Sequence, residues 1–140
     1  MSGVAIIRSL LVSDAALIAS VPASRIKAGV LPLDITLPAI SVTQVSGNQH
    51  NNVAMNSADY LITDRVQVTV FTKDVSGASS GYATKKSILA LVRAACPLSR
   101  GTINGFASEG VLPDTTGPDL DDLETQIFSQ SQDYMVSYIR

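Results

Sequence analysis

The chain is 140 residues long, 46% hydrophobic and only 16% charged, with a formal net charge of −2. An ordinary soluble domain is roughly a quarter charged, and a pI near 5.1 leaves no basic footprint for gripping nucleic acid through its phosphates. Mean hydropathy is +0.26, yet no apolar run approaches the roughly 20 residues of a membrane-spanning helix, the longest, Val4 to Val12, being broken by Arg8 and Ser9.

An apolar, charge-poor chain without a membrane segment implies that part of its surface is covered by other subunits. The length suits a single domain spanning residues 1–140. Cys96 is the lone cysteine, so neither an internal disulfide nor a Cys-based zinc site is expected, and beside Pro97 it reads as a small buried hydrophobe. Met1-Ser2-Gly3 lacks the cationic start of a secretory signal, and synthesis in a cytoplasm is the default expectation.

In chain order, Val4 to Ser20 reads as helix, with Ile7, Leu10, Leu11, Asp14, Leu17 and Ile18 recurring at three- and four-residue intervals. Ser13-Asp14 can instead cap a second short helix, since both side chains accept hydrogen bonds from free backbone N–H groups. Pro22 stops what precedes it, Arg25 to Val30 has room for a short strand, and Leu31 to Pro38, with its two prolines, is an extended connection. Ala39 to Ser46 is the next strand. Gly47 to Ser57, with four asparagines and no apolar period, is a loop or the tip of a long hairpin whose arms are Ile40–Ser46 and Tyr60–Phe71; adjacency of the arms favours the hairpin.

Arg65 to Lys73 carries the clearest pattern in the chain. Val66, Val68 and Val70 alternate with Arg65, Gln67 and Thr69, the period-2 signature of a half-buried strand with one polar face. Asp74 to Gly81 is a Ser/Gly linker, and Tyr82 to Ala95 is a helix with Tyr82, Ile88, Leu89, Leu91 and Val92 inward and Lys85, Lys86 and Arg93 left for solvent. Gly101 to Val111 reads as a weak strand, Leu112 to Asp122 as a turn-rich acidic loop, and Glu124 to Ile139 as a long terminal strand. The middle of that strand is polar on both faces, which predicts that it runs past the sheet or bends there. The expected fold class is α+β: a mostly antiparallel sheet of four to five strands, two helices packed on one face, and a long β-hairpin arm.

Catalytic chemistry is sparse. His50 is the only histidine and sits in the Asn-rich stretch without an adjacent acid or thiol, while Cys96 lacks a base other than that histidine. Asp114, Asp119, Asp121, Asp122 and Glu124 form the strongest charge cluster, but their spacing does not fit a calcium loop. Gly101, Gly105 and Gly110 are followed by neither the lysine of a P-loop nor the helix start of a dinucleotide site. The residues by themselves imply an oligomeric, non-enzymatic domain with no cofactor and no metal.

Several stretches together resemble the tail completion, or tail terminator, proteins of long-tailed bacteriophages. They are Leu10-Leu11-Val12-Ser13-Asp14-Ala15-Ala16-Leu17 followed by Val21-Pro22-Ala23-Ser24-Arg25-Ile26, the proline-led strand Leu37-Pro38-Ala39-Ile40-Ser41-Val42, and Arg65-Val66-Gln67-Val68-Thr69-Val70-Phe71. A helix ending in Leu89-Ala90-Leu91-Val92 and a final strand reaching Tyr134-Met135-Val136-Ser137-Tyr138 complete the pattern, which runs from about residue 4 to 139. It rests on element order and residue pattern, without an invariant motif, and the acidic 98–123 stretch and the Asn-rich loop depart from it.

The resemblance implies a virion protein of the tail or neck, made in the host cytoplasm, that forms a hexameric ring. Such a ring caps the tail tube, stops its polymerisation and offers the surface that joins the head. Its partners would be further copies of itself, the tail tube protein and a head-completion or connector protein, with DNA passing through unread and no membrane contact. Within that frame Asn48, Gln49, His50, Asn51 and Asn52 are candidates for contact with the tube or a neighbouring subunit. Arg65, Gln67 and Thr69 are candidates for a subunit surface or a channel wall, and Asp119, Asp121 and Asp122 for a channel or loop. The readings that compete are a head-closure or neck connector protein, an oligomeric adaptor outside phage biology, and a small hydrolase using the acidic loop.

Overall fold

A computed structural model describes residues 2–50, 60–74, 80–97, 100–122 and 124–139. Two short helices, α1 (Ser2–Val12) and α2 (Ala15–Ser20), lead into β1 (Ile26–Ala28) and β2 (Ala39–His50). Then come β3 (Leu61–Lys73), α3 (Gly81–Ala95), β4 (Gly101–Ile103), β5 (Phe106–Thr116), β6 (Leu120–Asp122) and β7 (Ile127–Ile139). The helix break falls at Asp14, whose carboxylate accepts a hydrogen bond from the Leu17 N–H at 3.0 Å and caps α2.

The strands form one seven-stranded sheet in the order β1-β2-β3-β7-β5-β4, with β6 also on β7. This overturns the expected four- to five-stranded antiparallel sheet with two helices: the described residues give a curled, mixed half-barrel sheet with three short helices. The mixed character comes from β1, which lies parallel to β2 (Ile26 beside Ile40), while the other pairings are antiparallel. β2 and β3 pair from Ala39–Phe71 to His50–Leu61, with a bulge between Gln44 and Ser46.

Two further expectations fail in the region 101–122. Asn104-Gly105, both at positive φ (50° and 81°), forms a two-residue turn that folds Gly101–Val111 into a β4–β5 hairpin rather than one weak strand. The stretch 112–122 is not a loop. β5 runs on to Thr116 and β6 follows, both paired with β7, so that β5 and β6 act as one long strand interrupted at Gly117-Pro118-Asp119.

The period-2 pattern of β3 translates directly into packing. Ile62, Asp64, Val66, Val68, Val70 and Thr72 are buried, and Val66, Val68 and Val70 meet Ile40, Val42, Tyr134 and Val136 in a core covered by α1, α2 and α3. Each such aliphatic side chain contributes about 1.5–3 kcal/mol on full burial. β7 is the central strand, paired with β3 along its whole length and with β5 and β6 on its other edge. It therefore neither overruns the sheet nor bends away, and its polar middle needs another explanation.

That explanation is hydrogen bonding under α3. Gln130 accepts from Lys86 Nζ at 2.6 Å and donates to the Gly117 carbonyl at 2.8 Å. Gln132 accepts from Thr116 Oγ1 at 2.7 Å and Arg93 Nε at 3.2 Å. Both glutamines are buried, and a buried amide is tolerated in a core once its groups are paired.

Candidate functional site

Three surfaces hold the side chains that the sequence singles out. The first is the sheet face opposite the helices, where β2, β3, β7 and β5 present a ladder of polar residues. Arg65 stands at its centre. Its guanidinium reaches Asp133 Oδ2 at 2.8 and 3.0 Å, Asp114 Oδ2 at 3.1 Å and Thr115 Oγ1 at 3.3 Å. The Asp133 hydrogen bond leads the causes that raise the arginine pKa above its ordinary value. On one side of it Gln67 donates to Ser131 Oγ at 3.4 Å; on the other Thr63 bonds Ser137 at 3.1 Å and His50 at 3.2 Å. Around Arg65 itself, one cation set between two carboxylates leaves no positive surplus.

The second surface is the end of the β2–β3 hairpin. Asn48, Gln49 and His50 are exposed members of β2, opposite Thr63, Ile62 and Leu61. Asn51 and Asn52 lie outside the described residues. His50 faces a threonine hydroxyl rather than an acid or thiol, and Cys96 is buried, its thiol pushed up to about 12 by burial and by the nearby Asp14 carboxylate. Neither is set up as a nucleophile with its base.

The third surface is a charged cluster between α3 and the β5–β6 junction, and here the sequence expectation for Lys85 is reversed, while Lys86 keeps its side chain 40% exposed. Lys85 is fully buried, its Nζ 2.8 Å from Asp119 Oδ1 and 2.9 Å from Asp121 Oδ1. Lys86 Nζ reaches Asp119 at 2.9 Å, and Tyr82 donates its hydroxyl to the same carboxylate at 3.1 Å. The Tyr82 ring lies 4.4 Å from Lys85 Nζ and 5.1 Å from Lys86 Nζ, within cation–π range. Hydrogen bonds from Lys85 and then Lys86 hold the Asp119 carboxyl well below the usual carboxylate range, and Asp119 in turn raises Lys86. Asp122 stands apart, lowered chiefly by the backbone N–H of Glu124, which it accepts at 2.9 Å.

The acidic residues thus divide. Asp119 and Asp121 close a fold-holding cluster, and Asp122 caps a turn. Two signals for this lie in the sequence: Asp119-x-Asp121 alternates as strand residues on one face do, and Lys85 sits three, four and seven residues before Ile88, Leu89 and Val92, on the buried stripe of α3. Among the described residues no group of His, Cys, Asp or Glu has the arrangement of a metal site, and no helix is long and apolar enough to cross a membrane.

Beside the polar ladder, the 30–37 segment arches over the same sheet face and encloses an open groove of about 1000 Å³. It is lined by apolar side chains (Leu31, Ile35, Leu37, Phe71, Ile127), by Thr43, Gln67 and Thr69, and by the charged Asp34, Lys73 and Asp74. Thr69 therefore looks into the groove, while Arg65 and Gln67 make the ladder bonds. The sheet face thus offers hydrogen-bonding groups beside a groove of mixed apolar and charged lining, an arrangement suited to contact.

No protein-family model matches the chain, and no curated protein sequence matches it. Among solved structures 26 chains match. One is a chain of the virion of a native gene transfer agent (GTA) particle, 14% identical, with a TM-score of 0.69 over 98% of this chain and 94% of that one. At that identity the likeness establishes a shared fold across nearly the full length of both chains.

Proposed function

We propose that this chain is a structural virion protein that caps the end of a tail tube as a ring of identical subunits, stops tube polymerisation and offers the surface to which the head is joined. The observation that carries the reading is the near-complete fold agreement with a chain of a GTA virion, in the same direction as the sequence resemblance to tail terminator proteins. The low charge content supports it as well, because a closed ring buries two different patches on every subunit. The sheet face around Arg65 has its cation neutralised by Asp114 and Asp133. A wall of that kind would let DNA pass without holding its phosphates.

In this reading the partners are further copies of the chain, a tail tube protein and a head-completion protein, and the protein resides in the tail or neck of the particle. The test is genetic and visual. Particles made without this chain are imaged by electron microscopy, and overlong tails or filled heads lacking tails are expected. Tails of normal length beside leaking heads would instead assign a head-closure role, and normal particles would overturn the virion reading.

A further inference from the structure

The segment 117–122 (Gly-Pro-Asp-Leu-Asp-Asp) runs beside β7 as a strap that follows β5 and contains β6. Residues 118–122 are all exposed, and Leu120, its one large aliphatic side chain, is 64% exposed. No apolar burial therefore holds the strap down. Part of its attachment is backbone pairing, Leu120 with Ser129, Asp121 with Phe128 and Asp122 with Ile127. Ser129 Oγ donates to the Leu120 carbonyl at 2.9 Å, the Gln130 amide to the Gly117 carbonyl at 2.8 Å, and the Gly117 N–H to the Ser131 carbonyl at 2.8 Å. The rest is charge. Asp119 and Asp121 both accept from Lys85, and Asp119 accepts from Lys86 and Tyr82 as well.

What the strap touches is buried. Lys85 is 0% exposed, and Ser129 and Gln130 are buried beside it. The two carboxylates that meet the ammonium keep 37% and 25% of their side chains exposed, so they stand between Lys85 and water. Taking an ion pair out of water is costly, and the attraction between its partners little more than offsets that cost. Lifting the strap rehydrates both partners together, whereas removing one of them strands the other. A segment with no apolar anchor and a near-balanced ion pair is the kind of unit that opens locally, below the free energy of global unfolding. The helix beneath is not such a unit, because Ile88, Leu89 and Val92 are buried in the core.

We propose that residues 117–122 are a charge-held latch that lifts off Lys85 as a unit while the core under α3 stays closed. Closed, the cluster is neutral: Lys85 and Lys86 are matched by Asp119 and Asp121. Opening separates it into a bared cationic pair on α3 and a free acidic segment. The latch is therefore a switch of surface charge built into this end of the sheet, and it stands independently of the virion reading.

The test measures how a reagent reaches Lys85. Acylation of wild-type protein by an N-hydroxysuccinimide ester is followed by peptide mass spectrometry at urea concentrations below the unfolding transition, with the exposed Lys27 as reference. Amide exchange of Leu120–Asp122 is followed in parallel by NMR. Local opening exposes little surface, so the Lys85 rate should be flat in urea. The strap amides should be at least roughly a hundredfold less protected than those of Val66, Val68 and Val70. Asp119→Asn/Asp121→Asn, shown by circular dichroism to fold, should speed Lys85 acylation at least about tenfold, the scale of losing hydrogen bonds to a charged group, with the rate still flat. A Lys85 rate that climbs with urea in step with exchange of the core amides would overturn the proposal, since the cation would then be reached only by global unfolding. Loose strap amides above a Lys85 that stays unlabelled while Lys27 reacts would overturn it too, as mere fraying of an exposed edge. A double variant no faster than wild type would show that charge does not hold the strap. If that variant fails to fold, the wild-type urea dependence decides alone.

Discussion

Lys85 and Asp119 approach to 2.8 Å across the junction of α3 with the broken β5–β6 strand, and the lysine is fully buried while the aspartate keeps a side exposed to water. The pair ties the helix to the point where β5 gives way to β6. Asp121 is the second acceptor for the same ammonium group, so the buried charge is met by two carboxylates. The first prediction follows from that asymmetry.

Removing Lys85 should destabilise the fold more than removing either acid. A buried ion pair that loses one partner costs several kcal/mol, reduced here because Asp119 and Asp121 remain 37% and 25% exposed. Lys85→Ala is expected to cost about 1–3 kcal/mol and Lys85→Met less, since methionine keeps the apolar stem packed. Urea unfolding of the three proteins measures this. Equal midpoints for wild type and Lys85→Ala would show that the cluster contributes nothing.

Acid should weaken the same tie. The Asp119 carboxyl is held below its ordinary value by hydrogen bonds from Lys85 and Lys86, so folding favours its ionised form. Its contribution is complete above the unfolded value of about 3.9 and is lost as pH falls from there toward the lower folded value. Unfolding midpoints of wild type and Asp119→Asn should therefore differ at pH 7 and draw together below pH 4. Curves that stay parallel down to pH 3 would contradict the assignment.

How much of this was legible in the sequence depended on whether one element sufficed to read it. The alternation in Val66, Val68 and Val70 fixed the buried face of β3, because a strand's period is a local property. The polar run Gln130–Gln132 was read as leaving the sheet, since its partners Lys86, Arg93, Thr116 and Gly117 lie 13 to 44 residues away. Residue type sends Lys85 to solvent, whereas its helical position, on the stripe of Ile88, Leu89 and Val92, places it inward. Asn104-Gly105 is a turn pair in sequence, but the three-residue β4 before it is too short in pattern to signal a hairpin. Of the site residues, Arg65, Gln67 and Thr69 share the polar face that their alternation implied, but what that face meets is not written in period or spacing.

A close approach at the start of the chain gives a third prediction. Asp64, buried on β3, accepts hydrogen bonds from the Gly3 N–H and the Tyr138 hydroxyl, each at 3.1 Å, and so places a carboxylate at the N-terminal end of α1. A Cβ on Gly3 would lie 2.7 Å from Asp64 Cβ, whereas one on Gly47 would meet the movable ends of Asp64 and Gln44. Gly3→Ala should therefore destabilise by about 1–3 kcal/mol, and Gly47→Ala by less. Thermal melts of both variants decide it, and the reverse ranking would refute the argument.

Cys96 offers a fourth. Its thiol is buried and pushed up to about 12, so at pH 8 scarcely any thiolate is present and reagent access requires opening of the fold. Labelling by a thiol-specific disulfide reagent should be on the order of a hundredfold or more slower in the native protein than in denaturant. Comparable rates in the two states would show that the α3 end is not closed around it.

The last prediction concerns the hairpin end. Asn48 and Gln49 pair with Thr63 and Ile62 in the β2–β3 ladder, so deleting residues 48–52 would remove paired backbone and confuse loss of contact with loss of fold. Substitution is cleaner. Both side chains are exposed, and surface changes of this kind alter stability by only about 0.5 kcal/mol. Asn48→Lys/Gln49→Lys should therefore leave the melting temperature nearly unchanged. If the hairpin end meets the tail tube, the double variant should still fold and self-associate yet fail to cap purified tubes, giving tails longer than normal when it replaces the wild-type chain. Tails of normal length would show that the tube is met elsewhere, and a variant that loses self-association while still binding tubes would move the hairpin end into the subunit interface.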